Sequence, residues 1–391
     1  MKIKKNKFTL ILILTYIFSA LVSFFIFSGV IGGLYKGVQS PVPEVVTDGK
    51  KTLFDESLPK TEPCPINGQL FSKQQKNWWE GHRPLGIMIE NHEESRPQSG
   101  LTKADAVYEA VAEGGITRFL AVFYCQDAEI VGAVRSARTY FLDFISEYGD
   151  YPLYAHVGGA NTPGPADALS QIRDYGWQNY NDLNQFSIGF PIFYRDYDRL
   201  GRTVATEHTM YSSTTLLWDY AKEDRGLSDV DEDGNEWDEN FTPYKFKEDV
   251  KEGARPSSQT ISYTAWEGYG AYTVKWTYDK TTNSYFRSND GEAHTDLNNS
   301  EQIKAKNVVV LFMRESRAND GYENNLHLLY GTTGKGKAVV FQDGEEIQAN
   351  WAKSKKTSRL ILTDSRGKEI ELNPGLIWFS VLPLNTPLDI E

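Results

Sequence analysis

Apolar residues are distributed along this chain in three different patterns. From Phe8 to Leu34 they run for 27 positions without one charge. Between about residues 81 and 223 their period switches repeatedly between two and about 3.6. From about residue 259 onward they fall in short β-branched or aromatic runs separated by turns. A helix rises about 1.5 Å per residue, so the first pattern exceeds the roughly 30 Å hydrocarbon core of a bilayer and predicts a single transmembrane helix with some tilt. A cleavable signal peptide has a shorter apolar region of about 7–15 residues before a small-residue site. Ser28-Gly29 and Gly32-Gly33 keep that second reading open. No cysteine adjoins the run, so a lipid-modified terminus of the bacterial lipoprotein kind is not expected. Lys2, Lys4, Lys5 and Lys7 precede it, and the positive-inside rule places residues 1–7 in the cytoplasm and the bulk of the chain outside the plasma membrane.

Residues 35–80 read as an extracytoplasmic tether, because Ser40-Pro41-Val42-Pro43, Asp48-Gly49 and Pro63-Cys64-Pro65 break any periodicity. In residues 81–223, strands are expected at Leu85–Glu90, Val107–Val111, Arg118–Tyr124, Ile130–Val134 and Leu153–Val157. Val107–Val111 alternates apolar and acidic positions like a half-buried strand, and Ile130–Val134 reads as the hairpin neighbour of Arg118–Tyr124. Phe141, Phe144, Ile145 and Tyr148 fall at helical spacing before Gly149. Pro165–Tyr175 and Ser212–Lys222 are further amphipathic helices. Residues 224–258 are acidic and turn-rich, and divide the chain. In residues 259–391, Tyr272–Tyr278, Ser284–Arg287, Val308–Met313, Ala338–Gln342, Arg359–Thr363 and Ile377–Leu382 read as strands. The fold class expected is α+β: an amino-terminal α/β-type layered domain with a ligand cleft, then a mostly β domain, behind the transmembrane helix.

Charge narrows the partners. The first 37 residues hold five of the 41 basic groups and no acid, which leaves 36 against 53 and a formal charge of −17. A nucleic-acid binder needs a basic face, so nucleic acid is not an expected partner. Cys64 and Cys125 are the only cysteines. Outside the cytoplasm they either pair or remain a buried thiol and an unrelated linker thiol. No cofactor motif and no zinc spacing occurs. Asp229-Val230-Asp231-Glu232-Asp233-Gly234 imitates half a calcium loop, but Asn240 stands where the bidentate glutamate is needed.

The stretch most suggestive of chemistry is Glu113 to Gly159. Arg118, Arg135 and Arg138 sit with Ser136 near strand ends, and Arg135 and Arg138 are three apart at the expected start of a helix. Two guanidinium forks and free N–H donors there suit phosphate, pyrophosphate or a carboxylate. The alternative is ion pairing with Glu109, Glu113 or Asp143. Glu113 is a candidate acid or base if burial raises its pKa, and otherwise a salt-bridge partner. His156, before Gly158 and Gly159, is a ligand contact or a satisfied core histidine, and His208 offers the same choice. Trp266, Trp276, Trp351 and Trp378 could stack on sugars or fill the core.

Arg83-Pro84, Ile87-Met88-Ile89-Glu90-Asn91, Arg96-Pro97-Gln98-Ser99-Gly100-Leu101, Glu113-Gly114-Gly115-Ile116-Thr117-Arg118, Val134-Arg135-Ser136-Ala137-Arg138 and His156-Val157-Gly158-Gly159 resemble the YerB-like family over about residues 80–387. The resemblance implies an exported bacterial envelope protein without a settled activity; many relatives carry a lipidated cysteine in place of a helix. The order of arginine-bearing strands and loops also looks like the layout of LytR-CpsA-Psr glycopolymer transferases, which implies pyrophosphate as the ligand type for Arg118, Arg135 and Arg138. The function expected is a membrane-anchored envelope protein. It binds an anionic, lipid-linked or cell-wall ligand, or a membrane protein partner, through an Arg/His cleft. A phosphotransferase or glycan-cleaving enzyme using the same cleft is the other reading.

Overall fold

Strands that bury both faces build the centre of the molecule. The computed structural model describes residues 50–266 and 268–391, together with Tyr16, Phe18, Ser19 and Val45–Thr47. The chain divides into two units, Met1–Phe54 and Asp55–Glu391. In the first, Val45–Thr47 pairs antiparallel with Lys50–Thr52. The span expected at 8–34 lies outside the described residues apart from Tyr16, Phe18 and Ser19. Among the described residues no helix is long and apolar enough to cross a membrane.

The second unit is a mixed α/β structure with few helices and large sheets. Its main sheet has ten strands: β1 (Leu85–Glu90), β2 (Ala106–Glu113), β3 (Ile116–Phe123), β4 (Leu153–His156), β5 (Asp182–Asn184), β6 (Asn307–Met313), β7 (Gly334–Gln342), β8 (Glu345–Lys353), β9 (Ile361–Asp364) and β10 (Ile377–Pro383). Their spatial order is β5-β4-β1-β3-β2-β10-β6-β7-β8-β9. The seam between the amino- and carboxy-terminal strands is β2 beside β10, paired in parallel from Ala106–Ile377 to Glu109–Ser380. The pairings make β1, β2, β4, β5, β6 and β10 parallel to one another, so their carboxyl ends share one edge. Sheets of this kind present ligands at that edge.

The alternation of side chains sends successive residues to opposite faces. On one face Tyr108 stacks between Phe144 at 4.7 Å and Phe379 at 4.5 Å; Phe144 belongs to helix α1 (Thr139–Ile145). On the other, Trp378 meets Phe119 at 5.2 Å and Trp276 at 5.4 Å. Trp276 comes from a second sheet built on Thr260–Thr264, Thr273–Asp279 and Ser284–Asn289. Trp276, Trp351 and Trp378 are therefore core residues.

Several local expectations change. β2 is buried from Ala106 to Ala112 rather than half exposed, and its last residue, Glu113, is partly exposed. Its acid Glu109 is not solvated but accepts two hydrogen bonds from Arg287 Nη2, at 2.9 and 2.8 Å, with Thr117 and Trp378 as further donors. A buried ion pair thus imitates a solvent-facing position in sequence. Ile130–Val134 is not a hairpin partner of β3: Gly132 pairs with Tyr211 and bridges to Ser99. The helix expected from Pro165 starts at Ala168, where the Asp167 carboxylate caps Ser170 N–H at 2.9 Å. Part of the supposed tether is folded, because Cys64 and Phe71 are apolar enough to bury. Lys60–Pro63 pairs with Leu70–Ser72, and Ser72 and Gln75 form a capping box on helix Lys73–Trp79. Cys64 and Cys125 are disulfide-bonded, with Cα atoms 6.0 Å apart.

Candidate functional site

The carboxyl edge of the main sheet collects the charged residues singled out in the sequence. A tight turn joins β2 to β3 through Gly114 and Gly115, both at positive φ (55° and 82°), as a two-residue hairpin of this twist requires. Just before it the register slips: Val111 pairs with Thr117, but Glu113 pairs with Ile116. This bulge carries Glu113 to the face of the sheet that Arg118 occupies; strict alternation would have left it with Glu109. The Glu113 carboxylate then meets Arg118 Nη2 at 3.4 Å and forms a close ion pair with Arg138 Nη2. Arg138 is the residue preceding α1, and its Nη1 donates to Ala137 O at 2.8 Å. Arg118 Nη1 donates to Ser136 O at 3.1 Å.

Two buried guanidinium groups therefore share one carboxylate. The side chains of Arg118 and Arg138 are 3 % and 6 % exposed, and that of Glu113 is 25 % exposed. Both Nε atoms, Arg118 Nε and Arg138 Nε, are buried without a hydrogen-bond partner. The imbalance shows in the electrostatics of both partners. Burial pushes the Glu113 carboxyl up, but Arg138 and Arg118 more than offset it and hold it at about 2. Burial, and then the charge of Arg138, pull Arg118 down to about 10. The carboxylate has excess opposite charge around it, whereas the guanidinium has too little. Glu113 is thus an ionised counter-ion, not the neutral acid that burial alone would produce.

Arg135 does not converge with Arg138. It lies in the loop before α1, and its Nε donates to Glu90 Oε1 at 3.0 Å. The other Glu90 oxygen lies 2.7 Å from His208 Nδ1. Burial raises Glu90, but the His208 hydrogen bond, Arg135 and Arg118 more than offset it and keep it below its ordinary value; the same hydrogen bond raises His208. Glu90 and Arg118 are cross-strand partners, so the two ion-pair groups adjoin. His156 ends β4, the neighbour of β1, and is fully buried, its Nδ1 2.6 Å from Gly158 O and its Nε2 2.5 Å from Asp182 Oδ1. It supports the site and does not line it. Gly158, at φ 57°, accepts from Ala137 N–H, and Gly159 bridges to Ala137, which fixes the 135–138 loop. The expected open Arg/His cleft is thus a carboxylate-bridged arginine pair with a second pair alongside. Of the alternative partners, Glu109 holds Arg287 and Asp143 accepts from Thr332.

Neither Glu90 nor Asp182 is a candidate by motif in the sequence, yet both hold site residues. Glu90 has a signal, an acid ending an otherwise apolar buried strand, whereas Asp182 opens the three-residue β5 after a run of turns and has none. The calcium-like loop satisfies itself, since the Asp231 carboxylate accepts from Asp233 N–H and from Asn235.

Comparison with known proteins identifies the family. Residues 71–228 match the N-terminal domain, and residues 263–379 the C-terminal domain, of a family described as protein of unknown function (DUF3048). A protein of Bacillus subtilis (strain 168), "Putative lipoprotein YerB", is 30 % identical over 307 residues, covering 77 % of this chain and 81 % of that one. The crystal structure of YerB protein from Bacillus subtilis superimposes with a TM-score of 0.68 at 25 % identity, covering 85 % of this chain and all of the other. The β2–β10 seam thus joins strands on either side of the family's internal boundary, and the chain belongs to this YerB-like family of unknown function.

Proposed function

We propose that the protein is a membrane-held binding protein of the cell envelope, working outside the cytoplasm, whose ligand is an oxyanion such as phosphate or pyrophosphate, free or lipid-linked. The observation that carries the reading is the buried Arg118–Glu113–Arg138 group, two cations to one carboxylate with both Nε atoms unpartnered. Burying a polar group without a partner is costly, and burying an uncompensated charge costs more. An oxyanion that joins or displaces Glu113 would supply the missing acceptors. The position at the carboxyl edge of parallel strands agrees with this. The ionised state of Glu113 favours binding over acid–base catalysis.

The anchor is the apolar run 8–34, with Lys2, Lys4, Lys5 and Lys7 on the cytoplasmic side. A relative named as a lipoprotein suits the same placement, held there by lipid instead of a helix. Calorimetric titration of inorganic pyrophosphate tests the ligand. Losing one charge-assisted contact costs about 1.5–3 kcal/mol, so Arg118→Gln and Arg138→Gln should each weaken binding roughly ten- to a hundredfold. Wild-type affinity in both variants would assign the arginines to the fold alone.

A further inference from the structure

Strand β5 leads into a loop that turns two aromatic side chains outwards. One helical turn, Gln185–Ile188, follows the strand at once, and Gly189 at φ 73° ends it. Hydrogen bonds hold the loop along its length. Asn184 Oδ1 accepts from Gly158 N–H and Phe186 N–H, both at 3.2 Å. Phe193 N–H donates to Gly189 O at 2.9 Å, and Ser212 Oγ donates to Ile192 O at 2.7 Å. The apolar residues divide between two sides. Phe193 is buried, and Ile188 and Ile192 pack against the core. Phe186 and Phe190 are 76 % and 71 % exposed, more than any other large apolar side chain described in Asp55–Glu391. Single exposed apolar residues are ordinary, but two such rings on one hydrogen-bonded loop are what an interaction surface presents. The surroundings carry no charge. No acid or base occurs from Leu183 to Tyr194, nor from Val157 to Ala166. The two segments meet where Phe186 Cε2 comes within 2.9 Å of the point at which a side chain on Gly158 would begin. Beyond the loop, Arg195 and Arg202 are exposed and donate to the main-chain carbonyl oxygens of Thr206, Glu94 and Arg96.

We propose that the Phe186–Phe190 loop is a membrane-contact tip, which sets both rings at the boundary between headgroups and acyl chains of the bilayer that holds the protein. This rests on the reading that the protein is membrane-held, and goes beyond it in naming the surface that meets lipid. Apolar side chains that dock on a bilayer enter about 5–10 Å, so every group carried in with them must be uncharged. The two charge-free segments meet that condition. Cations beside the inserted face are drawn to anionic headgroups, and acids are repelled. Residues 183–206 carry three arginines against two aspartates, in a body whose charge is otherwise strongly negative. The tip also adjoins the candidate site, because Gly158, which Phe186 covers, accepts from Ala137 N–H in the loop that carries Arg138.

The test uses the full chain in vesicles of neutral and anionic phospholipid, with a fluorescent label on Ser187→Cys, an exposed position between the two rings. The native cysteines are buried and joined to each other, so only the new thiol reacts. A nitroxide on the upper acyl chain should quench this label by about half or more. A label on Ile361→Cys should keep its fluorescence, because that exposed apolar position lies on β9, at the opposite edge of the main sheet from β5. With Phe186→Ser and Phe190→Ser combined, the quenching at Ser187→Cys should disappear. A label that stays bright on chains that remain with the vesicles through an alkaline wash would overturn the tip and leave the membrane-held reading standing. Quenching that survives the loss of both rings would overturn it too, since the label itself would then be seeking lipid. A label that neither the nitroxide nor aqueous iodide quenches would put a protein surface, a second copy or another partner, on the loop instead. Chains washed from the vesicles would overturn both readings.

Discussion

Glu113 has two tasks in this account, neutralising part of a buried positive charge and holding a place for an anion. Breaking a buried ion pair by removing one partner costs about 3–5 kcal/mol, and less where a group keeps some solvent. Glu113→Gln should therefore lower Tm by about 3–6 °C, and millimolar pyrophosphate should restore most of the loss, because it brings acceptors to the same guanidinium groups. A loss that pyrophosphate leaves unchanged would count against a shared position. The pH dependence follows from the direction of the shift. The folded carboxyl is held at about 2, below its ordinary 4.5, so its contribution is complete above about pH 4.5 and is lost as the pH falls towards 2. The gap between wild type and Glu113→Gln should close across that window. Sequence pattern located Arg118, Arg138 and Glu113, because charged residues beside glycines at strand ends are conspicuous. It offers Glu109, Glu113 and Asp143 as partners without choosing among them: the register slip at Val111–Glu113 reverses which face Glu113 occupies, and no residue type announces it.

Strands were the most legible elements, since β1, β6 and β10 are apolar runs bounded by turns and the structure keeps them within a residue or so. Failures came where tertiary contacts override local pattern. Residues 60–79 look like linker because their prolines and lysines hide a small apolar set, Cys64, Phe71 and Trp79, that packs into the core. The disulfide ties this segment to the end of β3 across a sequence separation of 61. In the chain-entropy model a loop of that length is worth about 3–4 kcal/mol. Reduction, or a paired Cys64→Ser and Cys125→Ser change, should lower Tm while leaving pyrophosphate affinity unchanged, because neither cysteine contacts the arginine pair. An affinity that fell with the disulfide would mean that residues 60–79 also shape the site.

Across the whole molecule, the acidic connection exposes the turn Glu232–Glu236 and then Asp238–Asn240, while Trp237 and Tyr244 are buried. Protease should nick that exposed turn first. The two fragments should then co-elute under native conditions, because β2 and β10 pair across the seam and Arg287 reaches Glu109. Separation without denaturant would contradict a shared sheet. Composition marks residues 224–258 as acidic and turn-rich, but pairing between strands some 270 residues apart leaves no local trace. The central claim, that two arginines sharing one carboxylate form an oxyanion site, is tested most directly by a crystal soaked with tungstate, an electron-dense phosphate mimic. The account predicts tungstate beside Arg118 and Arg138, within hydrogen-bond reach of their guanidinium groups, with Glu113 displaced or bridged. Crystals in which tungstate binds only elsewhere, with Glu113 still seated between both arginines, would contradict it.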